Sequence, residues 1–259
     1  MKKHLLLYVV VALFIFPKIY GQQSDYGLNL NEPLEFKHES LLLPTFLIAS
    51  GAFGIRKGPI RDLSVEIRES LKPDGSKITV DDYLPAVGIA SAYGLEFAGY
   101  KGRYDWKNKT GVLLVSGLFM YSSVRITKNN ISARRPSGRS VSTFPSGHTA
   151  LTFMGAEFLH QEYGHRSIWF SIGGYSIATL TGFLRIYNDK HWFNDVLAGA
   201  GIGILSTKLG YWLYPMIKNI IFKDKNKVEY SSQSKKSYTI QFAPILTNNE
   251  VQLGAFIQF

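Results

Sequence analysis

Cysteine is absent from the 259-residue chain. Its absence excludes a thiolate nucleophile, a disulfide framework and cysteine-ligated zinc. Acid is scarce as well: 19 Asp and Glu stand against 29 Lys and Arg, for a formal net charge of +10. Such an excess suits nucleic acid, an anionic lipid surface or a phosphorylated substrate, and only the placement of the charges separates these. The chain also lacks an internal repeat of useful length. Hydrophobic residues make up 46% of it, an ordinary share, but they are gathered into long blocks.

The first block follows Lys2 and Lys3 and runs from Leu5 to Phe16, with Gly21, Gln22 and Gln23 beyond it. A short basic region, an apolar stretch and a small residue describe a secretory signal over 1–21, with an uncleaved anchor as the alternative. Residues 22–40 are polar and irregular. Leu41 to Ile55 is apolar but only about 22 Å long as a helix, short of a roughly 30 Å hydrocarbon core, and Pro44 weakens it. From Gly58 to Lys72, Ile60, Leu63, Ile67 and Leu71 recur at helical steps opposite Arg61, Asp62, Glu66, Arg68 and Glu69, which predicts an amphipathic helix. Five further helical blocks follow at 83–100, 111–126, 146–163, 168–187 and 193–217. They are rich in Gly, Ala and Ser, which let helices approach closely within a membrane. The expected fold is therefore all-α: a membrane-associated bundle of about six helices, with its core over 41–217. Residues 218–259 form a basic stretch and then two alternating runs, 238–246 and 251–259, that predict a small hairpin.

Three polar segments lie where helical blocks end or begin. The first holds Lys128, Arg135 and Pro136; the second is Pro145, Ser146, Gly147 and His148; the third holds Arg185, His191 and Asp195. A phosphoryl group in transfer spreads negative charge over its oxygens, so its site needs fixed positive charge and N–H donors. Lys128, Arg135 and Arg185 can supply the charge. Ser146 and Gly147 open a helix, whose free N–H groups and dipole favour an anion. Asp195, four places after His191, can hold one ring nitrogen and leave the other to attack phosphorus. His148 then remains as the acid for the leaving oxygen. Each segment alone has a plain alternative: a solvated basic loop, ordinary helix capping, or a local His–Asp pair on a helix. Only the ordered conjunction of all three points to chemistry.

That conjunction resembles the type 2 phosphatidic acid phosphatase superfamily, which also includes bacterial acid phosphatases and vanadium haloperoxidases. Its pattern is Lys, six residues, Arg-Pro; then Pro-Ser-Gly-His; then Ser-Arg, five residues, His, three residues, Asp. Lys128, Arg135 and Pro136 match the first part, Pro145 to His148 the second, and Arg185, His191 and Asp195 the third. The Ser before the last Arg is replaced by Leu184. The resemblance implies His191 as nucleophile, Asp195 as its partner and His148 as leaving-group acid. It implies Lys128, Arg135, Ser146, Gly147 and Arg185 as phosphate binders, with no metal and no cofactor.

The secretory start, the amphipathic segment and the basic tail are similar to those of bacterial envelope members, lipid A phosphatases among them. If 41–55 dips into the bilayer without crossing, then Lys101, Arg103, Lys107, Lys109 and the tail face the cytoplasm and the three motifs face the periplasm. The expected partners are a membrane and an anionic phospholipid or lipid A-type substrate, hydrolysed through a phosphohistidine. Undecaprenyl diphosphate, phosphatidylglycerophosphate and phosphatidic acid remain alternatives, since motifs that read phosphate do not read tails. A haloperoxidase-like enzyme and a non-catalytic polytopic lipid-binding protein are rival readings. Nucleic acid is not expected, because the basic residues are divided among loops rather than clustered on one face.

Overall fold

The computed structural model describes residues 37–71, 78–138 and 142–221, together with the backbone of 239–247 and 250–258. The expected signal over 1–21, most of the irregular lead-in and most of the basic tail lie outside the described residues. The described part divides into a helical unit ending near Met216 and a second unit from Ile217 onward.

The helical unit contains α1 (Leu42–Phe53), α2 (Pro59–Leu71), α3 (Val87–Phe97), α4 (Trp106–Asn130), α5 (Gly147–Tyr163), α6 (Ile168–Tyr187) and α7 (Phe193–Ile221). Seven α-helices are thus described where about six were expected, because the short apolar run after Leu41 forms a helix of its own. Pro44 does not weaken it, since it falls in the first turn, where its missing N–H has no intrahelical partner to lose. The block expected at 83–100 begins instead as two 3-10 turns, Thr79–Asp82 and Leu84–Ala86, before α3. The block expected at 111–126 is longer, because the Asp105 side chain accepts from Asn108 N and caps α4 five residues earlier. In the second unit Thr239–Thr247 (β1) pairs antiparallel with Glu250–Gln258 (β2), where the alternating runs predict a hairpin.

Two helices, α4 and α7, are long and apolar enough to cross a membrane by length and composition. They differ in what surrounds them: 17% of the apolar window of α4 is buried within the protein against 61% for α7. Leu114, Leu118, Tyr121 and Ile126 stand exposed along α4. The row of small residues in α7 is what brings α5 against it. A Cβ on Gly199 would meet the Ser146 carbonyl oxygen at 2.5 Å, and one on Gly203 would collide with the Ala150 carbonyl. This close crossing sets the start of α5 beside the start of α7.

Candidate active site

The segment between α6 and α7 is shaped by the end of α6. Asp189 takes a left-handed conformation (φ 55°), and Lys190 N and His191 N both donate to the Arg185 carbonyl. His191 is thereby folded back under the helix and is only 2% exposed. Four residues on, Asp195 lies in the first turn of α7 and is fully buried. Its Oδ2 accepts from Trp192 N at 2.9 Å, so the carboxylate also caps the helix that carries it.

His191 Nδ1 and Asp195 Oδ2 are 3.4 Å apart, a loose contact, and a third residue sits between them. The buried Thr143 hydroxyl donates to Asp195 Oδ2 at 2.6 Å and lies 3.0 Å from His191 Nδ1. Its one hydrogen is used on the carboxylate, so toward the imidazole it acts as an acceptor. Nδ1 therefore carries the ring proton, and Nε2 keeps its lone pair. Burial is the largest influence on the imidazole and, despite the opposing pull of Asp195, brings its pKa to about 4, with Arg185 and Lys128 pushing the same way. A neutral ring with a free Nε2 is the form a nucleophile requires.

The other motifs meet this pair through backbone and charge. Ser146 N donates to the Asp195 carbonyl at 3.0 Å. The Ser146 side chain caps α5, accepting from Thr149 N and from the Thr149 hydroxyl. A Cβ on Gly147 would find only Val124 at 3.7 Å, so no packing against the protein requires glycine there. Lys128, in the last turn of α4, donates to the carbonyls of Ser142 (3.1 Å) and Thr143 (3.2 Å), fixing the strand of chain that carries Thr143. Arg135 and Arg185 each hold a buried Nε with no partner among the described residues. Buried donors left open in this way are costly unless something else binds them.

Sequence reasoning overlooked an acidic pair on this side of the bundle. Arg185 Nη1 lies 2.9 Å from both Asp81 Oδ2 and Asp82 Oδ1, and Lys190 Nζ lies 3.1 Å from the same two oxygens. His148 Nε2 stands 3.6 Å from Asp82 Oδ1, with both side chains partly exposed. Asp81 is fully buried, and the turn carrying it is tied to the 188–192 segment by two hydrogen bonds between Asn188 and Ile78. Burial would raise the Asp82 carboxyl, but the hydrogen bonds and charges of Lys190 and Arg185 outweigh it and hold the group below its ordinary range. Leu184, where the resembled pattern has Ser, is buried against Leu84 and Ile177. The departure is thus a packing contact in the apolar core. Nothing in the local spacing marks Asp81, Asp82 or Thr143, whose partners lie 104, 103 and 48 residues away.

The helical unit thus brings a buried His–Thr–Asp trio, arginines with open donors and the start of a helix to one end. Residues 109–219 match the PAP2 superfamily. The chain is similar to Lipid A 1-phosphatase from Porphyromonas gingivalis, with 37% identity over 166 residues, 62% of this chain and 36% of that protein. The matched region thus spans about a third of the relative's length. Two solved structures are also similar. One is the crystal structure of Aquifex aeolicus LpxE, at 21% identity over 57% of this chain and 94% of that one, with a TM-score of 0.45. The other is the first transmembrane PAP2 type phosphatidylglycerolphosphate phosphatase from Bacillus subtilis, at 20% identity over 71% and 98%, with a TM-score of 0.43.

Proposed function

We propose that this chain is a lipid phosphatase of the bacterial envelope that works through a phosphohistidine, with lipid A the favoured substrate. The observation that carries the reading is the Thr143-bridged pair of His191 and Asp195, which leaves Nε2 unprotonated within the field of Arg185 and Lys128. In the first step Nε2 attacks phosphorus, the bond from phosphorus to the leaving oxygen breaks, and His148 gives that oxygen a proton. Asp195, through Thr143, balances the charge that the imidazole acquires. In the second step His148 takes a proton from water, the oxygen of that water attacks phosphorus, and the P–N bond breaks to release phosphate. Arg135, Arg185, Lys128, the Ser146 hydroxyl and the Gly147 N–H hold the phosphoryl oxygens, so the positive charge comes from side chains and no metal is needed.

The lipid part of the reading is supported by the exposed apolar face of α4, by the close helix crossings and by the relative whose name is Lipid A 1-phosphatase. The site faces the periplasm in this reading, with Lys101, Arg103 and Lys107 at the opposite helix ends toward the cytoplasm. The test is phosphate release by the detergent-solubilised protein in excess chelator. The panel is lipid A, undecaprenyl diphosphate, phosphatidylglycerophosphate and phosphatidic acid. Release from lipid A, blocked by vanadate and lost in His191→Ala, is expected. A folded protein that releases phosphate from none of the four contradicts the assignment.

A further inference from the structure

Beside the site lies a pocket of about 300 Å³ whose lining includes neither His191 nor His148. Lys57, Arg61, Arg134 and Arg135 line it, with Trp192 and Asp195. The four cations come from two separate places, the approach to α2 with its first turn, and the loop after α4. None of them forms a salt bridge with a described residue, although basic neighbours do: Arg68 binds Asp189, and Arg185 and Lys190 bind Asp81 and Asp82. Asp195, an acid in the same lining, makes its hydrogen bonds to Thr143, Trp192 and Asn194 rather than to these cations, and its single charge is outnumbered by theirs.

One of the cations is held in place: the Arg61 guanidinium stacks 3.9 Å over the Trp192 ring, and the indole Nε1 of Trp192 donates to the Arg134 carbonyl at 2.8 Å, which joins the two segments through the ring. Arg135 adds its buried, unpartnered Nε. Fixed like charges around one cavity repel each other, and an unpaired buried donor costs more still, unless an anion enters. Both observations ask for the same kind of occupant. Arg135 and Asp195 belong to the sequence motifs and also line this pocket, so the pocket adjoins the place where a phosphoryl group would react.

We propose that this pocket is a second anion subsite, which holds another phosphate or carboxylate of the same lipid headgroup while the scissile phosphoryl group lies at His191. The inference rests on the phosphatase reading above and deepens it: the enzyme selects lipids bearing two anionic groups. Its test compares lipid A carrying both phosphates with the form carrying the scissile phosphate alone, each in neutral detergent. The parent enzyme should favour the doubly phosphorylated lipid. The triple variant Lys57→Gln/Arg61→Gln/Arg134→Gln should raise KM for it on the order of tenfold or more, with kcat little changed and the singly phosphorylated lipid unaffected. Arg134→Gln alone alters an exposed side chain and should show a smaller loss with the same selectivity.

Equal rates on the two lipids in the parent, or equal losses in the variants, would overturn the subsite and leave the phosphatase reading standing. A loss seen only after anionic phospholipid is added to the micelles would assign the pocket to a bystander headgroup, which also overturns it. Absence of turnover on both lipids in the parent removes the phosphatase reading and the subsite with it.

Discussion

Helices α4 and α5 bury ionisable groups at both of their ends, and the two ends treat them in opposite ways. At the start of α4 and the end of α5, Lys109 and Glu162 are fully buried. Lys109 Nζ bonds Glu96 at 2.5 Å and the Tyr163 hydroxyl at 3.1 Å, while Glu162 accepts from Tyr211 at 2.5 Å and Tyr104 N at 3.1 Å. Both of these buried charges have partners inside the protein, although His165, just beyond α5, keeps two buried ring nitrogens without one among the described residues. At the other end Arg135 and Arg185 keep open donors, and four pocket cations lack salt bridges among the described residues. A satisfied network stabilises a fold; an unsatisfied one stores binding capacity for something that arrives.

The comparison can be broken at either end. Lys109→Met should cost about 3–5 kcal/mol of stability, because Glu162 and Glu96 lose their buried partner. Its kcat at a temperature where it stays folded should be near that of the parent; a large fall in kcat would tie that end to the chemistry. Thr143→Val keeps the shape but removes the hydroxyl between His191 and Asp195, and kcat should drop about 10³-fold, with Thr143→Ser recovering most of it. Parental kcat in the valine variant would mean that Asp195 reaches the ring unaided.

His191 offers a thermodynamic reading of the same contrast. An imidazole with a folded pKa of about 4 binds fewer protons than in the unfolded chain between that value and its ordinary 6.5. Stability rises with pH wherever the unfolded state holds more protons, so it should be present above pH 6.5 and decline as the pH falls toward 4. The loss amounts to roughly 3 kcal/mol from this group, and thermal melts of His191→Gln should lack that part of the decline. Identical pH profiles would show that the ring is not buried neutral. The smallest effect is expected for Arg135→Gln: about a 10²-fold fall in kcat/KM, with an unchanged melting temperature because no protein group loses a partner.

The motif residues were legible in the sequence because their arrangement is local. Arg185, His191 and Asp195 are placed by the end of one helix, one turn and the start of the next, and Ser146 and Gly147 by a single cap. Helix periodicity and small residues similarly marked α2 and the α7 crossing. What stayed hidden depends on contacts between distant segments. Thr143 gains meaning only from its place between His191 and Asp195, and Asp81 only from Arg185, 104 residues away. The Leu41–Ile55 run was readable as apolar but not as a separate helix, since the placing of Pro44 in a first turn depends on where the helix starts. The cationic pocket joins two segments, each of which reads alone as an ordinary basic loop.

The central claim is that His191 Nε2 forms a bond to phosphorus, and trapping that bond tests it most directly. Enzyme mixed with ³²P-labelled lipid substrate and quenched in alkali within one turnover should carry label that is stable in base, lost in acid and located on His191. His191→Ala should carry none. Normal turnover without labelled protein at any quench time, or undiminished turnover in the alanine variant, would contradict the account.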